Sequence, residues 1–136
     1  MSPGAVIVSY LVAQGVFADS QATPWPLFLG SEPDAGVDDV GTVFDTSGIK
    51  DGRLMEDGTI IHHYGIQVRV RSRDYEDGWD KLKQACDQLA AAYNVTVGTW
   101  TVHNVSIQGS PMSIGVDGTK RRRLFVANFL VTLTEA

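Results

Sequence analysis

Residues 59–93 read TIIHHYGIQVRVRSRDYEDGWDKLKQACDQLAAAY, and the change of period inside this stretch decides the fold. Over residues 59–72, Ile66, Val68 and Val70 alternate with Gln67, Arg69 and Arg71, the pattern of a strand with one face buried. Gly65 marks a bulge or a close backbone approach within it. Beyond Asp74 the spacing changes. Trp79, Leu82, Cys86, Leu89 and Tyr93 recur at three, four, three and four residues, opposite Asp80, Lys81, Lys83, Gln84, Asp87 and Gln88. That is an amphipathic helix. Asp74 is its expected N-cap, and Glu76 and Asp77 favour the positive end of the helix dipole.

Working outward, the N-terminal side begins with eighteen uncharged residues. They lack the basic start of a signal peptide, since the first Lys or Arg is Lys50, and they are too short and interrupted to span a bilayer. Ser2 and Pro3 read as an N-cap and first helical position, followed by Val6, Ile7, Tyr10, Leu11 and Phe17 at helical spacings. A helix apolar over most of its circumference has to be buried, in the core or against a second subunit. Trp25 to Leu29 then form a short strand, placed at an edge or at its start by Pro26. A second strand is expected near residues 38–45, and residues 46–58 read as an exposed loop that orders on a partner.

On the C-terminal side, residues 99–108 alternate Trp100, Val102, Asn104 and Ser106 with Thr101, His103, Val105 and Ile107. A short piece follows around Ile114. The last strand, Leu124 to Leu133, carries Phe125, Ala127, Phe129, Val131 and Leu133 on one face. The order is α, two or three strands, α, three strands. It predicts one α+β domain over residues 1–136, with a largely antiparallel mixed sheet and both helices on one face.

The length, 136 residues and 14.7 kDa, suits one domain that buries about two-thirds of its surface. The single cysteine, Cys86, excludes a disulfide framework and any multi-cysteine zinc site, and its place on an apolar helix face reads as a buried structural thiol. A net charge of −5 argues against general nucleic-acid affinity, but the charge is segregated. Eight acids and two bases lie between Glu32 and Asp57. Arg69, Arg71 and Arg73 then align on one strand, and Lys120, Arg121, Arg122 and Arg123 follow one another at a turn. Three aligned arginines repel, so the expectation is compensation by a partner's carboxylates or by a phosphate backbone. The second run is equally compatible with a solvated turn.

Patterns for chemistry are sparse. There is no GxGxxG, GxxxxGK[ST] or GxSxG motif. His62 and His63 are neighbours on a strand and point to opposite faces, so a metal site needs His103 with one of them and Asp45 or Asp51 as a further ligand. A small metal-dependent hydrolase is the enzymatic alternative that this set defines. A nucleic-acid module built on the arginines is the third, although no aromatic residues interleave them for stacking. Asn94-Val95-Thr96 and Asn104-Val105-Ser106 match the glycosylation pattern by chance.

The order of pieces also resembles a family. An uncharged first helix is followed by Val43-Phe44-Asp45-Thr46, then Asp51-Gly52-Arg53-Leu54-Met55. Tyr64-Gly65-Ile66-Gln67-Val68-Arg69-Val70-Arg71 then runs into Asp74-Tyr75-Glu76-Asp77-Gly78 and a helix, and the last strand carries Arg123-Leu124-Phe125 and Asn128-Phe129. The whole looks like the tail terminator (minor tail) proteins of long-tailed bacteriophages. The resemblance implies a virion protein, assembled in the host cytoplasm, that forms a hexameric ring on the head-proximal end of the tail tube. Such a ring stops tube polymerisation and receives the head's connector or neck proteins, and DNA passes through its lumen without specific binding. Another neck protein is the neighbouring alternative. No catalysis, cofactor, metal or membrane is implied. The expected subunit or partner contacts are Arg69, Arg71, Arg73, Asp51, Arg53, Glu56, Asp57, Lys120, Arg121 and Arg122.

Overall fold

A computed structural model describes residues 1–33, 36–53, 58–117 and 121–135, with backbone alone for 48–53. Among the described residues two helices and seven strands follow one another: α1 (Pro3–Ala13), β1 (Leu27–Leu29), β2 (Val40–Arg53), β3 (Ile60–Ser72), α2 (Tyr75–Ala90), β4 (Val95–Val97), β5 (Trp100–Ile107), β6 (Met112–Asp117) and β7 (Arg122–Glu135). The strands make one mixed, mostly antiparallel sheet, an α+β fold.

β7 is the spine of that sheet. One of its edges pairs with β3 from Ser72↔Arg123 to Ile61↔Thr134. Its other edge is shared, β6 taking residues 122–126 and β5 taking residues 129–135. Register therefore defines two rows. In one, Leu27, Gly41, Val70, Phe125 and Ser113 lie side by side across β1, β2, β3, β7 and β6. In the other, Gly52, Ile61, Thr134, Thr101 and Thr96 cross β2, β3, β7, β5 and β4.

The period-two residues of β3 and β7 supply the core. Ile66, Val68 and Val70 join Phe125, Ala127, Phe129, Val131 and Leu133 in one buried cluster with Val6, Ile7, Tyr10 and Leu11 of α1 and Leu82, Ala85 and Leu89 of α2. Both expected N-caps are made. Ser2 Oγ accepts from Ala5 N at 3.1 Å, and Asp74 Oδ2 accepts from Asp77 N at 3.0 Å. The helices are tied by Tyr10, whose hydroxyl donates to the Gln88 carbonyl and accepts from Gln88 Nε2, both at 3.1 Å. Gly78 lets α2 approach the sheet, because a Cβ there would come within 2.6 Å of the Phe125 ring.

Several expectations are corrected. Residues 46–53 are not loop. β2 continues through Arg53 and pairs with β3 as far as Arg53↔Ile60, with irregularities after Asp45 and Lys50. Residues 54–57 of the expected loop lie outside the described residues. The first irregularity faces Gly65, where a Cβ would run into the Thr46 side chain and the Ser47 backbone, so Gly65 serves a close approach. Tyr93 lies past the end of α2 and is exposed, not on its apolar face. In β5 the alternation breaks at a shift between Val102 and Asn104, which turns Val105 inward after Trp100 and Val102. β4 was not anticipated.

Candidate functional site

The arginines meet the acidic segment of their own chain. Arg71 and Arg122 are the two largest fully buried side chains among the described residues, at 1% and 0% exposure. Arg71 Nη2 donates to the Val37 carbonyl at 3.0 Å and Nε to the Asp38 carbonyl at 3.3 Å, while Nη1 stands 3.5 Å from Glu32 Oε1. Arg122 donates to Asp117 Oδ2 from Nη2 at 2.6 Å and from Nε at 3.0 Å, and its Nη1 lies 3.5 Å from Asp38 Oδ1. Arg69 Nε is 3.6 Å from Glu32 Oε2, and Arg73 pairs with Asp38. Ser72 Oγ donates to Asp39 Oδ1 at 2.8 Å. Glu32 and residues 37–39 thus lie over the face of β3 and β7 opposite the core.

This replaces the expected compensation from a partner. A buried guanidinium needs charge and hydrogen-bond partners in place, and here carbonyls and carboxylates of one chain supply them. Burial, and then the neighbouring Arg122 guanidinium, pulls Arg71 below the ordinary arginine range, which Glu32, Asp117 and Asp38 oppose. Among the expected contact residues, the structure brings Arg69, Arg71, Arg73 and Arg122 together. Arg121 is exposed in the turn before β7, with a positive φ of 55°. The side chains of Asp51 and Arg53, and all of Glu56, Asp57 and Lys120, lie outside the described residues. Glu32, Asp38 and Asp117, which do the compensating, were not singled out in the sequence.

The histidines do not converge. His62 stacks on Tyr64 at 5.4 Å between ring centroids, and its Nδ1 is 3.2 Å from the Tyr64 hydroxyl. His63, on the other face, meets Thr132 Oγ1 at 3.0 Å, and His103 meets Thr134 Oγ1 at 2.7 Å and Asn94 Oδ1 at 3.1 Å. Asp45 Oδ1 accepts from Gly4 N at 2.7 Å, at the start of α1. Among the described residues no three His, Cys, Asp or Glu side chains group as metal ligands. No helix among them is long and apolar enough to cross a membrane.

One groove, of about 350 Å³, runs between α2 and the β5–β6 edge, lined by Trp79, Cys86, Val105, Ile107, Pro111 and Phe129 among others. It is apolar, and the Lys83–Asp87 pair at its rim, 3.4 Å apart, balances its own charge. Burial pushes the Cys86 thiol up to about 11, so the group is a neutral thiol at physiological pH.

A model of the bacteriophage tail terminator protein family matches residues 10–135. The chain belongs to that family. It is a phage tail structural protein, and the family points to a structural rather than an enzymatic role. A chain from a structure titled "Virion of native gene transfer agent (GTA) particle" shares the fold, with a TM-score of 0.62 at 11% identity over 98% of this chain and 95% of that one. Among curated proteins, none matches significantly.

Proposed function

We propose that this tail terminator is a single-domain subunit that closes into a hexameric ring on the head-proximal end of the tail tube. There it halts tube growth and offers the surface to which the head's connector or neck proteins attach. DNA passes through the lumen without specific binding, and the protein works in the virion after assembly in the host cytoplasm. The family match over nearly the whole chain carries this reading.

Closed rings need two different, complementary faces on every subunit. Arg71 and Arg122 are taken up within the chain by Glu32, Val37, Asp38 and Asp117, which leaves the exposed charges for such faces. Arg73 and Arg121, which are exposed, join Asp51, Arg53, Glu56, Asp57 and Lys120 as the contact set for the neighbouring subunit, the tube or the connector. Removing the gene tests the reading. Overlong tails that fail to join heads are expected. Tails of normal length overturn the terminator role, and normal tails without heads assign the protein to the neck instead.

A further inference from the structure

We infer that neighbouring copies meet edge to edge, the β6 edge of one subunit pairing along the β1 edge of the next. This rests on the ring proposed above and assigns its contact. The register carries it. In the row Leu27–Gly41–Val70–Phe125–Ser113, β1 and β6 are the two ends of the same five-stranded layer. A copy docked at the same level extends that row without a change of register.

Both ends are left open in the way a binding edge is. β6 pairs with β7 alone among the described residues, and β1 with β2 alone, apart from one bridge at Ala18 that covers its start. The Leu27 N–H, turned to this outer edge, donates to the Ala18 carbonyl at 3.0 Å. By alternation Leu29, two residues on, presents its own N–H and C=O to the same edge. Proteins that stay monomeric blunt such edges with charge or proline. Within the strands β6 carries no charge before Asp117 and no proline, and β1 carries neither, Pro26 and Pro111 standing just ahead of them.

The side chains agree. Met112, Ile114 and Val116 of β6 are 51%, 43% and 52% exposed, next to the exposed Ile107 at the groove, and Leu29 of β1 is 44% exposed. Among the described residues these account for half of the ten exposed large apolar side chains, four of them on the two end strands of one row and Ile107 on the adjoining β5. Charge then selects the partner. Beside β6, Arg121 and Arg123 have no ion-pair partner among the described residues; beside the start of β1, the same holds for the exposed Asp19. Two β6 edges brought together repel, whereas β6 against β1 sets arginine near aspartate. The occupant is therefore a second copy in head-to-tail order, the arrangement that closes rings.

Cross-linking tests it. In a Cys86→Ser background, Leu29→Cys and Met112→Cys chains are prepared separately, mixed at high concentration and treated with a short bismaleimide. Circular dichroism and melting curves confirm that each variant keeps the parent fold, and Ile114→Cys repeats the test from a second β6 position. The expected result is a cross-linked dimer in the mixture, several-fold above either variant alone, and a ladder ending in a closed species when one chain carries both cysteines. Equal dimer from Met112→Cys alone, equal dimer when Leu29→Cys is mixed with a Tyr93→Cys control, or no cross-linked product overturns the edge pairing. Overlong tails in the gene deletion alongside failed cross-linking would leave the terminator role standing and remove only this contact.

Discussion

On one face of the β3–β7 pair, Val68, Val70, Phe125 and Ala127 belong to the apolar core; on the other, Arg69, Arg71 and Arg122 meet Glu32 and Asp38 of the acidic region. Both faces are buried, by different physics. The apolar face is held by non-directional contact, which tolerates exchange of shape as long as volume is kept. The arginine face is held by a few directed bonds, and each guanidinium removed strands a carboxylate or carbonyl that is partly withdrawn from water. One face gives the sheet its stability, and the other fixes where a long connection lies on it.

The sharpest test of the apolar face is Phe125→Ala. The ring is fully buried and meets Tyr75 edge-on at 4.9 Å and Trp79 at 6.2 Å, so its loss opens a cavity beneath the start of α2. A loss of about 4 kcal/mol is expected, read as a lower urea midpoint at unchanged slope. Phe125→Leu, which keeps most of the volume, should recover more than half of it.

On the arginine face, Arg122→Ala is expected to cost about 3 kcal/mol, because Asp117 and Asp38 lose their shared partner while only partly exposed. The distinguishing measurement is a rescue. Arg122→Met with Asp117→Asn and Asp38→Asn should regain much of the loss, since removing both members of a buried pair is far less costly than removing one. If Arg122→Ala is as mild as a surface change, the two faces are not held differently.

The elements that positioned both faces were legible where the information is local. The switch of period between Val70 and Trp79, the Asp74 and Ser2 caps, and the alternation of β7 all appear as read. What failed was non-local. Arg71 is compensated by groups 33 to 39 residues upstream, Val37, Asp38 and Glu32, and no spacing along the chain reports that approach. Glycine and charge in residues 46–53 look like loop, yet pairing with β3 supplies the hydrogen bonds that make them strand. The bulge in β5 shifts the inward set by one residue, so simple alternation there assigns Val105 and Ser106 to the wrong faces.

Cys86 sharpens the apolar side by its chemistry. Its thiol is pushed up to about 11 by burial first and by the Asp87 carboxylate second, against Lys83. The folded value lies above the ordinary 9.0, so the neutral thiol is the favoured form in the fold. At pH 8 the native thiolate fraction is therefore about 100-fold below that of the unfolded chain, and alkylation by iodoacetamide should slow accordingly. The rate should climb only as pH approaches 11, and stability should fall as pH rises above 9, where the unfolded chain ionises first. Native alkylation as fast as in urea would mean that this side chain does not pack against the core.

The smallest effect separates burial from charge as the source of the arginine face's strength. Arg73 belongs to the same basic row as Arg71 and pairs with Asp38, the residue that Arg122 also approaches, but its side chain is 65% exposed. Water screens that pair and solvates either member left alone, so Arg73→Ala should cost less than about 1 kcal/mol. It should also show the salt sensitivity of a surface pair, with most of the difference gone at about 1 M salt, where the screening length falls to roughly 3 Å. Arg71→Ala, two residues away with the same formal charge, should keep nearly all of its cost at that salt concentration, because the Arg71 side chain is itself only 2% exposed and two of its bonds go to neutral carbonyls. Measured side by side, the two variants ask whether the row acts through its charge or through what is buried beneath Glu32 and residues 37–39. Equal costs with equal salt dependence would make the row a simple charge cluster and remove the distinction between the two faces.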